Sequence, residues 1–205
     1  MKFPFLASFI VFGITLTYGM RKASKRKEHE DAFYWERERE ANTTLRKPLD
    51  DLVFLTVPME TLPFGACPGD EVIEDCERLV RTYEHKKAVN LTGLTNTDLK
   101  LLYGAPNLQI LTIYDNNYTQ LVRPLHKWAE ALCQKECPQQ ARIILEYAIS
   151  TGSDISKSYS LLAGIYSEAG NLDAIRALRE QALTLRSLTK DMIVRHLDSL
   201  LGENR

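Results

Sequence analysis

The sequence predicts an all-α protein: an N-terminal transmembrane helix, a proline-rich extended segment, and an α-helical repeat domain. Three observations predict it. Residues 3–20 (FPFLASFIVFGITLTYGM) carry no charged side chain. From Asp70 onward, apolar residues recur at three- and four-residue spacing, the signature of helices with one buried face. The C-terminal third repeats its own pattern of large and small apolar residues after 34 positions.

Residues 1–20 form the first expected element. At 1.5 Å per residue the uncharged run spans about 27 Å, enough for the hydrocarbon core of a bilayer. A cleavable export signal carries its positive charge before the run and a small-residue triplet after it. Here only Lys2 precedes it, while Arg21, Lys22, Lys25, Arg26 and Lys27 follow, and no such triplet appears. Basic flanks stay on the cytoplasmic side, so the expectation is a single pass in the cell membrane with the N-terminus outside and residues 21–205 cytoplasmic. An exported or inverted arrangement is the alternative. Asn42, Asn90 and Asn117 each begin an N-x-T triplet, which matters only in a secretory lumen and also arises by chance.

Residues 21–41 are rich in charge and good helix formers, with Phe33, Tyr34 and Trp35 as one apolar spot. The element is expected to be a solvated juxtamembrane helix. Its five leading basic residues, Arg21, Lys22, Lys25, Arg26 and Lys27, suit anionic lipid headgroups at about 1 kcal/mol each. The aromatics are expected to dock on the folded domain or lie at headgroup level.

Residues 42–121 are expected to be an extended segment and short helices packing on the repeat. Pro48, Pro58, Pro63 and Pro68 break any long helix, and Leu52–Val57 reads as an extended apolar strap. A helix starts at Asp70, with Val72, Cys76, Leu79, Val80 and Tyr83 on its apolar face and Lys86 and Lys87 at its C-terminal end. Thr95 and Asp98 read as a capped start of a short helix that Gly104 and Pro106 stop. Another short helix is expected over Asn107–Tyr114, before a turn at Asp115-Asn116-Asn117.

The repeat occupies residues 122–189. A 34-residue shift aligns Leu125 with Tyr159, Trp128 with Leu162, Ala129 with Ala163 and Leu132 with Tyr166. It also aligns Leu145 with Arg179, Ala148 with Ala182 and Ile149 with Leu183. That period describes two antiparallel helices per unit, with small residues allowing close approach. Residues 122–155 and 156–189 resemble tetratricopeptide repeats, and residues 190–205 read as a capping helix with Met192, Ile193, Leu197, Leu200 and Leu201 inward. Arg179 stands where the family has an aromatic, Ile175 where it has alanine, and Pro124 falls inside the first helix. The resemblance implies a groove, lined by the first helix of each unit, that takes a protein partner. The groove positions are Arg123, His126, Glu130, Cys133 and Gln134, then Lys157, Ser160, Gly164, Ser167 and Glu168. The Lys and Asn pattern that holds a C-terminal carboxylate in some members is absent.

Net charge is −1 overall, but residues 1–27 hold six bases and no acid, leaving 20 bases against 27 acids in the remainder. An acidic body of that kind argues against nucleic-acid binding. Four cysteines in 205 residues fall short of a disulfide scaffold. Cys133 and Cys137, with His126, supply three soft ligands and no fourth, too few for a structural zinc site. Asp98 and Asp115 with His85 or His126 could be drawn as a hydrolytic pair, and the polar segment Asn90–Asp98 as an anion cradle. No nucleophile-elbow, zinc-protease or phosphate-loop spacing occurs. No catalytic residue, cofactor or metal is therefore expected. The expectation is a non-catalytic, membrane-anchored interaction protein, with an enzyme or enzyme regulator using residues 85–118 as the alternative.

Overall fold

The computed structural model describes residues 4–202, without the side chains of residues 4–11, 13, 14, 23–26 and 28–30. The described residues form eight α-helices and one 3-10 turn and contain no strand, an all-α fold. The chain divides into two compact units, Met1–Pro48 with Thr95–Leu108 and Leu49–Leu94 with Gln109–Arg205.

The first unit is built on α1 (Pro4–Thr43), a continuous helix of 40 residues. The expected membrane span falls mostly on residues whose side chains lie outside those described. Among the described residues no helix is long and apolar enough to cross a membrane. Arg21, Lys22 and Lys27 are exposed, while Lys25 and Arg26 lie outside the described side chains. Phe33, Tyr34 and Trp35 are exposed, the last two edge to face at 5.4 Å.

Helix α3 (Asn96–Tyr103) docks near the C-terminal end of α1. Thr95 and Asp98 form a full capping box, so this start was legible in four residues. The packing is polar. Arg37 bonds Asp98 at 2.6 Å, and the Glu38 carboxylate accepts from Thr97 at 2.6 Å and Lys100 at 2.5 Å. These donors hold the Glu38 carboxyl below the usual carboxylate range, the Lys100 hydrogen bond first. Beyond α3, Gly104 has φ +91°, and a Cβ there would lie 2.2 Å from the Leu45 carbonyl oxygen. Only glycine permits that approach. The 3-10 turn Ala105–Asn107 follows, with the buried Asn107 amide donating to the Lys47 and Tyr103 carbonyls.

The second unit holds α2 (Glu71–Arg81), α4 (Leu108–Gln134, apart from its first residue), α5 (Pro138–Ser150), α6 (Ser156–Glu168), α7 (Leu172–Leu183) and α8 (Lys190–Leu200). Asp70 caps α2 through the Val72 and Ile73 amides. Its buried face is Ile73, Cys76 and Val80, whereas Val72 and Leu79 are exposed. The expected face was thus displaced, because both phases carry apolar residues and tertiary packing chose between them. The strap has no ladder: its Leu55 amide donates to the Ala88 carbonyl at 2.9 Å and the Tyr147 hydroxyl to the Thr56 carbonyl at 3.2 Å. In the loop that leads to α2, Glu77 accepts from the Gly65 amide and Glu74 from the Gly69 amide, each at 2.8 Å. Val57 and Leu62 enter the core, and Phe64 packs on Trp128 at 5.0 Å between ring centres.

Helix α4 differs most from expectation. The expected break at Asp115–Asn117 is absent, and the helix continues through Pro124. Those polar side chains do not turn the backbone because a neighbouring segment captures them. Asp115 accepts from the Leu91 amide at 3.2 Å, and the Asn117 amide donates to the Lys87 carbonyl at 2.8 Å.

After α4 the chain folds back through short connections. Helix α5 packs on α6, α6 on α7 and α8, and α7 on α8. Leu125, Trp128, Ala129, Tyr159, Leu162 and Ala163 are all buried, so positions 34 apart share an environment. The pairing ends where α8 intervenes: Arg179, aligned with the buried Leu145, bonds Asp198 of α8. On α8 itself Ile193 and Leu197 are buried, while Met192 and Leu200, expected inward, are exposed.

Candidate interaction groove

A cavity of about 430 Å³ opens between the C-terminal end of α4 and α6. Cys133 and Glu136 come from α4 and the turn after it, and Pro138 from the first position of α5. Ser160, Gly164 and Glu168 line it from α6, and Leu161 and Ile165 complete the apolar part. No residue of 49–69 lines it. The turn is shaped by Glu136, a non-glycine residue at φ +59°, and by Pro138, whose missing amide suits a helix start.

Four of the expected groove residues, Cys133, Ser160, Gly164 and Glu168, meet at this cavity. Arg123, Glu130, Gln134, Lys157 and Ser167 are exposed and do not line it. His126 is half-buried and turned to a structural contact, its Nδ1 lying 3.0 Å from the Ser158 hydroxyl. Burial pushes its imidazole below the usual range against the pull of Glu130. Leu161, Ile165, Glu136 and Pro138 escaped the sequence reading. Leu161 and Ile165 each follow an expected groove residue by one position, so widening the α6 strip by one residue finds them.

Two carboxylates, Glu136 and Glu168, line the cavity and no lysine or arginine does. Neither acid has an ion pair within 4.0 Å among the described residues. Burial raises the Cys133 thiol, with Glu168 and Glu130 adding to the effect, so it stays protonated at neutral pH. A protonated thiol is a poor nucleophile. The lining thus combines two acidic side chains with apolar ones.

The other sequence candidates are engaged elsewhere. Asp98 accepts from the Thr95 hydroxyl and amide and pairs with Arg37, which keeps its carboxyl low, the Thr95 hydroxyl first. Asp115 holds the Leu91 amide, and His85 is exposed beside Glu84. In the Asn90–Asp98 segment, the Asn90 amide nitrogen lies 3.0 Å from the Tyr118 hydroxyl and from the Thr151 and Gly152 carbonyls. A glycan on that nitrogen would have to break this node. His126, Cys133 and Cys137 do not gather, and among the described residues no group of three metal-ligating side chains forms. Cys137 instead faces Cys67, with the sulfurs 3.3 Å apart.

No family model, curated protein or solved structure matches this chain.

Proposed function

We propose that the chain is a membrane-anchored, tetratricopeptide-like interaction protein that holds a partner at the inner membrane face without catalysis. The observation that carries this reading is the cavity between α4 and α6, with an apolar floor, Glu136 and Glu168 in its lining and no basic residue there. That chemistry fits a partner segment presenting Lys or Arg beside an apolar side chain. The anchor rests on the uncharged run 3–20 and the basic residues 21–27. Confinement to a bilayer surface raises the effective concentration of a membrane-bound partner, a gain that needs no reacting group.

The test uses the full-length protein in its native membrane, with a photo-crosslinking residue at Ser160. A discrete protein adduct is expected, and Gly164→Trp, which fills the cavity, should abolish it. Glu168→Lys should weaken it at least tenfold. An adduct unchanged by either substitution, or no adduct, overturns the proposal. Saturable turnover by the purified chain would favour the enzyme alternative.

A further inference from the structure

We infer that Cys67 and Cys137 form a reversible dithiol–disulfide pair that ties the loop before α2 to the turn between α4 and α5. The two residues are 70 positions apart in the chain, yet their sulfur atoms lie 3.3 Å from each other. A disulfide needs about 2 Å, so side-chain rotation alone has little distance to close. Both residues are partly accessible, whereas Cys76 is buried and Cys133 faces the cavity.

The approach is fixed by interactions that do not involve sulfur. On one side of Cys67, Phe64 packs on Trp128 of α4. On the other, Asp70 pairs with Lys135, beyond the end of α4, at 3.0 Å. The contact is therefore bracketed on the Cys67 side, and on the other side both anchors, Trp128 and Lys135, lie just ahead of Cys137. Each cysteine also precedes a proline, Pro68 or Pro138, which disfavours the helical backbone region for it; Cys137 accordingly sits at φ −110°, ψ 56°, just before α5. The Cys67 thiol is raised by its hydrogen bond to Cys137 and then by burial, so thiol exchange should quicken as pH rises.

The oxidant is a low-molecular-weight disulfide such as oxidised glutathione. One cysteine thiolate attacks a sulfur of that disulfide, breaks its S–S bond and releases one small thiol. The second cysteine then attacks the protein-bound sulfur, forms the Cys67–Cys137 bond and releases the other small thiol. Two electrons pass to the small disulfide, and the two protein thiol protons end on the released thiols. Because Glu136 and Pro138 flank Cys137 and line the cavity, the bond would also fix that edge of the groove.

The full-length protein, in detergent, is equilibrated with glutathione mixtures from fully reduced to fully oxidised. It is then quenched in acid, unfolded and alkylated. Four reactive thiols should fall to two, with a peptide pair linking Cys67 to Cys137 that dithiothreitol separates. The Cys76→Ala/Cys133→Ser variant should still form the link. Cys67→Ser should stop at a glutathione adduct on Cys137. Four thiols persisting at the oxidised end, a link through Cys133, or glutathione adducts alone in the unsubstituted protein would each overturn the inference.

Discussion

Asn90 shows how much one polar side chain can hold. Its amide nitrogen bridges the buried Tyr118 hydroxyl and two carbonyls of the α5–α6 turn, while its oxygen accepts from the Thr92 amide. Burial pushes the Tyr118 hydroxyl well above the usual phenol range, so the group is committed to remaining neutral and hydrogen-bonded. Asn90→Ala removes every one of these bonds and strands buried polar atoms, at a cost of about 2–3 kcal/mol. Chemical denaturation of the full-length protein checks this through a lowered midpoint with an unchanged slope. Asn90→Asp keeps the acceptor but loses the donor, and should be nearly as damaging.

Among the elements, the close approach of the end of α3 to the chain just after α1 rests on one residue without a side chain. Gly104 combines a positive φ with a 2.2 Å approach to the Leu45 carbonyl, so alanine there is both strained and overlapped. Gly104→Ala is expected to cost at least about 1–3 kcal/mol in backbone strain alone, before the clash is relieved. Hydrogen exchange should report it as lost protection across Asn96–Tyr103, with α6 and α7 unaffected. The helix starts show what a sequence makes legible. The Asp70 cap and the Thr95–Asp98 box close within three residues, and both were readable from local pattern. The continuity of α4 was not, because the groups that hold Asp115 and Asn117 lie 24 and 30 residues away. Which face of α2 is buried was also a tertiary decision, since Val72 and Ile73 are equally apolar and the packing favours Ile73.

For the whole molecule, the all-α class was legible because periodicity and the 34-residue offset are one-dimensional signals. Of the cavity lining, Cys133, Ser160, Gly164 and Glu168 were among the positions that the repeat resemblance implied. Glu136 was not, since its place depends on a left-handed turn backbone that no residue type announces. The Cys67–Cys137 contact was invisible for a simpler reason, 70 residues of separation with no pattern between. The proposed membrane orientation makes its own prediction at this scale. Protease added to intact cells should leave residues 21–205 undigested. Replacing Arg21, Lys22, Lys25, Arg26 and Lys27 with glutamine should expose a measurable fraction of chains to digestion.

The unbroken α1 acts as a ruler with a phase. In the proposed membrane arrangement, with Met20 at the lipid boundary, Arg37 would stand about 25 Å further along the axis and Phe33–Trp35 would be clear of the headgroups. Each residue added to this stalk advances the α3 clamp by about 1.5 Å and swings it by about 100° around the axis. One inserted alanine near residue 30 would therefore point the clamp in a new direction, whereas seven would nearly restore its bearing and change only its distance from the start of the helix.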